Sequence, residues 1–111
     1  MTKLMPSYQL TPDAQADLIE IRRYTLTQWG PSQSQKYLSD LRKTLKLLAA
    51  TPTLGKSRPE ITAGAFSFPY ISHVIYYLHE GETIWVFAVL HKRMVPFAHL
   101  AHRELPSTIN S

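Results

Sequence analysis

The stretch Phe66-Ser67-Phe68-Pro69-Tyr70-Ile71-Ser72-His73-Val74-Ile75-Tyr76-Tyr77, with Val89-Leu90-His91-Lys92-Arg93-Met94 closing the run that follows, decides the fold. Phe66 and Phe68 alternate with polar residues, which predicts a short strand before Pro69. His73 to His79 is dense in Val, Ile, Tyr and Leu, the residues that suit a pleated surface. Glu80-Gly81-Glu82 reads as a turn. Thr83 to Leu90 is a second dense strand, so the pair forms a hairpin. Strict alternation places Ile84, Val86, Ala88 and Leu90 on one face of the last strand, with Trp85, Phe87 and Val89 on the other. In the strand before it, Val74, Tyr76 and Leu78 oppose Ile75 and Tyr77. Both faces of this hairpin are therefore apolar.

Upstream, the apolar period changes. Tyr8 to Leu10 reads as a short strand. Thr11-Pro12-Asp13 then starts a helix, because threonine caps free N–H groups, proline fits the first helical position and aspartate complements the dipole. Leu18, Ile21, Thr25 and Trp29 fall on one helical face. Gly30-Pro31 stops that helix and opens the next, whose stripe is Leu38, Leu41, Leu45 and Leu48, with Arg42, Lys43 and Lys46 on other faces. Pro52 and Gly55 end it. Helices joined by so short a turn form an antiparallel hairpin. Gly55 to Gly64 reads as a loop carrying Lys56, Arg58 and Glu60. Ala98 to Leu105 reads as a short helix, and Pro106 to Ser111 as a frayed end.

The element order is thus β, α, α, β, β, β. The expectation is an α+β fold in which the helical hairpin packs on one face of a small antiparallel meander. Residues 1–97 form a single domain and 98–111 a C-terminal tail. The hairpin covers only one apolar sheet face. The other must be covered by the tail, a second copy or a partner chain, since large exposed apolar patches mark interaction sites.

At 111 residues with a formal net charge of +4, the chain is one small basic domain. Its sequence pI of about 9.5 favours acidic partners or polyanions. No apolar run approaches the ~20 residues that span a bilayer, and no secretory h-region is visible. The lack of cysteine excludes disulfides and thiolate metal sites and fits a cytoplasmic location. All five histidines, His73, His79, His91, His99 and His102, lie in the second half. His99 and His102 could share a helical turn with His91 nearby, but no acidic ligand stands at a recognisable spacing, so no metal and no cofactor is expected. Metal-free RNA cleavage needs a base, an acid and cations for the phosphorane. His73, His91, Lys92, Arg93, Arg58 and Lys56 are the right side-chain types, and Tyr76 adds a further acid–base group. Each taken singly is also ordinary surface or sheet. No nucleophile elbow or phosphate loop is present.

Several segments together resemble the ParE/RelE toxins. Leu10-Thr11-Pro12-Asp13-Ala14-Gln15-Ala16-Asp17-Leu18 is similar to the family's strand–helix junction with its Ala-x-x-Asp-Leu pattern. Trp29-Gly30 with Gln35, Tyr37 and Leu41 resembles its helix-to-helix turn and second helix. Thr51-Pro52-Thr53-Leu54-Gly55-Lys56 resembles its proline–glycine exit. Phe66 to Tyr77 and Leu90 to Met94 are the most specific matches, and they follow the ParE branch. The resemblance implies the toxin of a type II toxin–antitoxin pair. The ParE branch inhibits DNA gyrase by trapping it on cleaved DNA, and the RelE branch cleaves mRNA on the ribosome. RelE-type nucleases tend to carry an arginine where His73 stands and a tyrosine soon after the last basic cluster. Here no tyrosine occurs after Tyr77.

The expectation is therefore a gyrase inhibitor with no catalytic residues of its own. Arg58, His91, Lys92, Arg93 and Met94, with the tail after Met94, would contact the target. The alternative is a ribosome-dependent nuclease using Arg58, His73, His91, Lys92 and Arg93. A third reading is a decayed member that binds only its antitoxin. The implied partners are a cognate antitoxin, which folds on binding, and DNA gyrase. Toxin–antitoxin pairs could join into higher-order assemblies. No membrane and no direct nucleic-acid contact are expected. The candidate antitoxin-binding residues are Trp85, Phe87, Val89, Ile75 and Tyr77.

Overall fold

The computed structural model describes residues 6–94, 96–100, 103 and 105. In chain order it contains β1 (Ser7–Leu10), α1 (Pro12–Trp29), α2 (Pro31–Ala50), a 3-10 turn at Pro52–Leu54, β2 (Lys56–Ser57), β3 (Ala65–Tyr70), β4 (His73–Glu80), β5 (Thr83–His91) and α3 (Pro96–Leu100). The strands form one sheet in the order β1-β5-β4-β3-β2. β3, β4 and β5 are the expected antiparallel meander, and β1 runs parallel to β5, with Leu10 opposite Val86. One strand is additional to the expectation. Lys56 and Ser57, expected as loop, pair with Ser67 and Phe66 at the sheet edge.

The helices begin and end where the local chemistry dictates. The Thr11 hydroxyl accepts the Ala14 N–H at 3.2 Å, and Pro12 occupies the first turn. Gly30 sits at φ 87°, a left-handed conformation that few other residues adopt easily, and Pro31 starts α2. A buried hydrogen bond of 2.6 Å between the Thr25 and Ser34 hydroxyls ties the two helices together near this turn. All four leucines of the α2 stripe are buried, joined by Tyr37 and Ala49. On α1, Ala14, Ile21 and Thr25 are buried and Leu18 is partly so. Trp29, expected on the same inward face, is 46 % exposed instead. It is the last residue of α1 and packs on Tyr37 with ring centroids 5.4 Å apart.

The faces of β5 also differ from strict alternation. Tyr76 pairs with Ala88 and Tyr77 with Val86, so Phe87 is an extra residue in a β-bulge. Ile84 and Val86 point to the helices. Beyond the bulge the parity is reversed, so Val89 points to the helices while Phe87, Ala88 and Leu90 join Trp85 on the far side. The helix-side core contains Ile75, Tyr77, Ile84, Val86 and Val89 against the α2 leucines. The far-side cluster contains Ala65, Tyr76, Leu78, Phe87, Ala88 and Leu90. Ile61 from the β2–β3 loop and Leu100 and Leu105 from the tail pack over it. The second apolar face is thus covered in part by the chain's own tail. The expected helix at Ala98–Leu105 is seen as Pro96–Leu100. His102 and the segment 106–111 lie outside the described residues.

Candidate target-contact site

The ends of β4 and β5 bring His73 and His91 together as a cross-strand pair, ring centroids 5.4 Å apart. Both lie on the helix side. His73 is buried, and its Nδ1 is 2.7 Å from the Tyr37 hydroxyl on α2. That hydroxyl oxygen also accepts the Ser72 N–H at 3.3 Å. Tyr70 donates to the Tyr37 carbonyl at 2.7 Å. Burial raises the Tyr37 hydroxyl, partly offset by the Ser72 hydrogen bond, and burial with Asp40 and Tyr37 nearby pushes Tyr70 up to about 12. Burial and the neighbouring His91 depress His73 to about 4, so the ring is neutral near pH 7.

The chain leaves β5 through a tight turn. Lys92 donates its N–H to the Ser72 carbonyl at 2.8 Å, Arg93 to His91 Nδ1 at 3.1 Å and Met94 to the His91 carbonyl at 2.9 Å. The turn is therefore fixed by backbone bonds while Lys92, Arg93 and Met94 keep their side chains exposed. Lys92 and Arg93 take part in no ion pair among the described residues.

Arg58 is elsewhere. Its Nε binds Glu60 at 2.6 Å, Nη1 donates to the Ser67 hydroxyl at 3.1 Å, and the guanidinium lies 6.0 Å from the Tyr76 ring centroid. Tyr76 belongs to the far-side cluster, so Arg58 and His73 are on opposite faces of the sheet. The structure brings His73, His91, Lys92, Arg93 and Met94 into one neighbourhood and leaves Arg58 out. A nuclease centre needing Arg58 beside His73 is not assembled. The five candidate antitoxin residues are likewise divided. Ile75, Tyr77 and Val89 are buried beneath the helices, because the hairpin covers their face and the bulge turns Val89 towards it. Phe87 is fully buried on the far side, and Trp85 keeps partial exposure there. They share no single open surface.

Asp17 and Arg103 carry a role that the sequence reading missed. The Asp17 carboxylate accepts the Val89 N–H at 2.9 Å and two Arg103 hydrogen bonds, at 2.7 and 2.8 Å. Arg103 also donates to the Phe87 carbonyl at 3.0 Å. Asp17 thus satisfies β5 backbone beyond the reach of β1 and anchors the tail, and the pairing raises the Arg103 guanidinium further. The visible signal was Asp17 itself, an acid one position from Leu18 on the inward side of α1. Nothing in the sequence pointed from it to Arg103. A cleft of about 470 Å³ lies beside this anchor, lined by residues that include Ile21, Tyr24, His73, His91, Met94 and His99. Among the described residues no three His, Asp or Glu side chains gather to hold a metal ion, and no helix is long and apolar enough to cross a membrane.

Residues 8–96 match the sequence profile of the family described as "ParE toxin of type II toxin-antitoxin system, parDE". The chain is 41 % identical over 88 residues to Toxin ParE1 of Mycobacterium tuberculosis, covering 78 % of this chain and 90 % of that protein. It is 33 % identical over 96 residues to Toxin ParE1 of Caulobacter vibrioides, covering 86 % and 99 %. It is 35 % identical over 100 residues to Toxin ParE of Escherichia coli, covering 89 % and 97 %. A solved chain of the chromosomal ParDE system from P. aeruginosa superposes with a TM-score of 0.66 at 21 % identity, over 78 % of this chain and 95 % of that one, a likeness of fold.

Proposed function

Because this chain belongs to the ParE toxin family of type II toxin–antitoxin systems, we propose that it arrests growth by binding DNA gyrase and stabilising its cleaved DNA complex. A cognate antitoxin is its family-implied partner. The observation that carries the gyrase reading is the His91–Met94 turn, whose backbone is fixed while Lys92, Arg93 and Met94 face solvent. A rigid, exposed, basic turn suits protein–protein contact, because its side chains lose little backbone entropy on docking. Arg58, on the far face, is at most a separate contact. Such a target acts in the cytoplasm. The antitoxin, on this reading, engages the far face through Trp85, where apolar surface is only partly covered by the tail.

The test is a gyrase assay with the purified toxin, scored for supercoiling and for trapped linear DNA. Linear DNA should rise with toxin and vanish when antitoxin is added. Gyrase left untouched, together with cut transcripts in a translating extract, would replace this reading by ribosome-dependent mRNA cleavage.

A further inference from the structure

The cleft beside the Asp17–Arg103 anchor opens between α1, the ends of β4 and β5, and α3. Its volume of about 470 Å³ is that of a site for a large side chain and part of its backbone. Ile21, Tyr24, Val89 and Met94 supply apolar wall. Two imidazoles supply the polar floor, and their hydrogen bonds fix what they offer. We assign the Tyr37 hydroxyl as the donor to His73 Nδ1, 2.7 Å away, which places the proton of the neutral ring on Nε2. Among the described residues Nε2 has no hydrogen-bond partner, and His73 is one of the residues that line the cleft. His91 Nδ1 accepts the Arg93 N–H, which likewise leaves Nε2 as the donor. The carboxylates nearby are already engaged: Asp17 by Arg103, Glu20 by Arg23 at 2.8 Å. Lys92 and Arg93, exposed and lying between His91 and Met94 in the chain, make no ion pair among the described residues.

We propose that this cleft receives a large apolar side chain from an acidic peptide segment of the toxin's target. Its backbone carbonyl accepts from His73 and His91, and flanking carboxylates meet Lys92 and Arg93. A peptide fits better than nucleic acid, because a phosphate chain would gain nothing from the cleft's apolar walls. The target fits better than the antitoxin, because the cleft is continuous with the His91–Met94 turn. The inference rests on the target-contact reading of that turn.

The test uses an N-acetylated pentapeptide with one phenylalanine flanked by aspartates and glutamates, titrated into the isotope-labelled toxin. The imidazole signals of His73 and His91 and the Met94 methyl should shift saturably. Replacing the phenylalanine by alanine, or the acids by lysines, should weaken binding by about tenfold or more. Met94→Glu, at an exposed position, should weaken the peptide and gyrase trapping by a similar factor while antitoxin affinity stays within about twofold. Shifts confined to Trp29 and Ile71, or none, overturn the inference. So does a Met94→Glu toxin that traps gyrase fully or loses antitoxin instead. A wild-type toxin that never traps gyrase overturns the functional reading, and the peptide titration still decides the cleft independently.

Discussion

At the scale of single residues, the polar contacts that matter are those that close otherwise unsatisfied groups. Asp17 does this three times over, for one backbone N–H and both arms of a guanidinium. Arg103→Ala should cost about 2 kcal/mol in chemical denaturation, the range for charge-assisted bonds at a partly accessible site. Asp17→Ala should cost more, because it orphans the Val89 N–H as well as the guanidinium; equal losses would argue against that ordering. His73 gives a pH dependence with a defined sign. Its folded pKa of about 4 lies below its ordinary 6.5, so the unfolded chain binds the proton more readily. Stability contributed by the neutral ring is complete above about pH 6.5 and is lost as pH falls towards about 4, by an amount on the order of 3 kcal/mol. Unfolding midpoints measured between pH 7.5 and 4.5 should fall steeply for the wild type and less steeply for His73→Gln. Parallel curves would mean that other groups set the slope.

At the scale of elements, two turns bear stated tests. Gly55 follows the 3-10 turn, where the Tyr77 hydroxyl accepts the Gly55 N–H at 3.1 Å and donates to the Pro52 carbonyl at 2.6 Å. A methyl group at Gly55 would collide with that hydroxyl and crowd the Ser67 carbonyl. Gly55→Ala should therefore destabilise by about 2 kcal/mol, through overpacking and the lost hydroxyl bonds, and Tyr77→Phe should recover part of that loss in the Gly55→Ala background. Ile71, in the β3–β4 turn, holds φ 50°, unusual for a β-branched residue, and is 69 % exposed. Ile71→Gly should be stabilising or neutral, by at most about 1 kcal/mol, since relief of strain is set against glycine's entropy. The element order was legible because each segment carries its own period and punctuation: the leucine stripe of α2, Gly30-Pro31, and the β-rich runs around Glu80-Gly81-Glu82. The bulge at Phe87 was not, because an extra residue in a strand leaves no mark on composition, and it reversed the faces of every position after it. β2 was missed because two polar residues at an edge have no period. In the site, the basic turn after β5 was legible as a cluster, whereas the Tyr37–His73 and Asp17–Arg103 bonds join residues far apart in sequence, and only tertiary structure brings such pairs into contact.

At the scale of the whole molecule, the sheet is apolar on both faces and two different layers cover it. The helical hairpin closes one side with residues adjacent in sequence to β1, a permanent part of the fold. On the other side, Ile61, Leu100 and Leu105 shield Tyr76, Leu78, Phe87 and Leu90, and the Arg103–Asp17 bonds fasten that cover to α1. Truncation after Met94 would remove the two tail leucines and the guanidinium together. The apolar far face would then meet water, at roughly 25 cal/mol for each Å² uncovered. The truncated toxin should unfold at a lower temperature, bind a hydrophobic dye and self-associate, while far-UV circular dichroism shows the hairpin and sheet retained. If the antitoxin docks on the far face through Trp85, it should restore the truncated protein more than the full-length one, because it replaces the missing cover as well as binding the native state. Thermal melts of both chains with and without antitoxin give the four midpoints required. A larger upward shift for the truncated chain supports the far-face assignment; a shift lost on truncation would show that the antitoxin needs the tail in place. Trp85→Ala in the full-length chain separates these further, since it should weaken antitoxin binding by about tenfold while leaving Arg103 and its anchor intact.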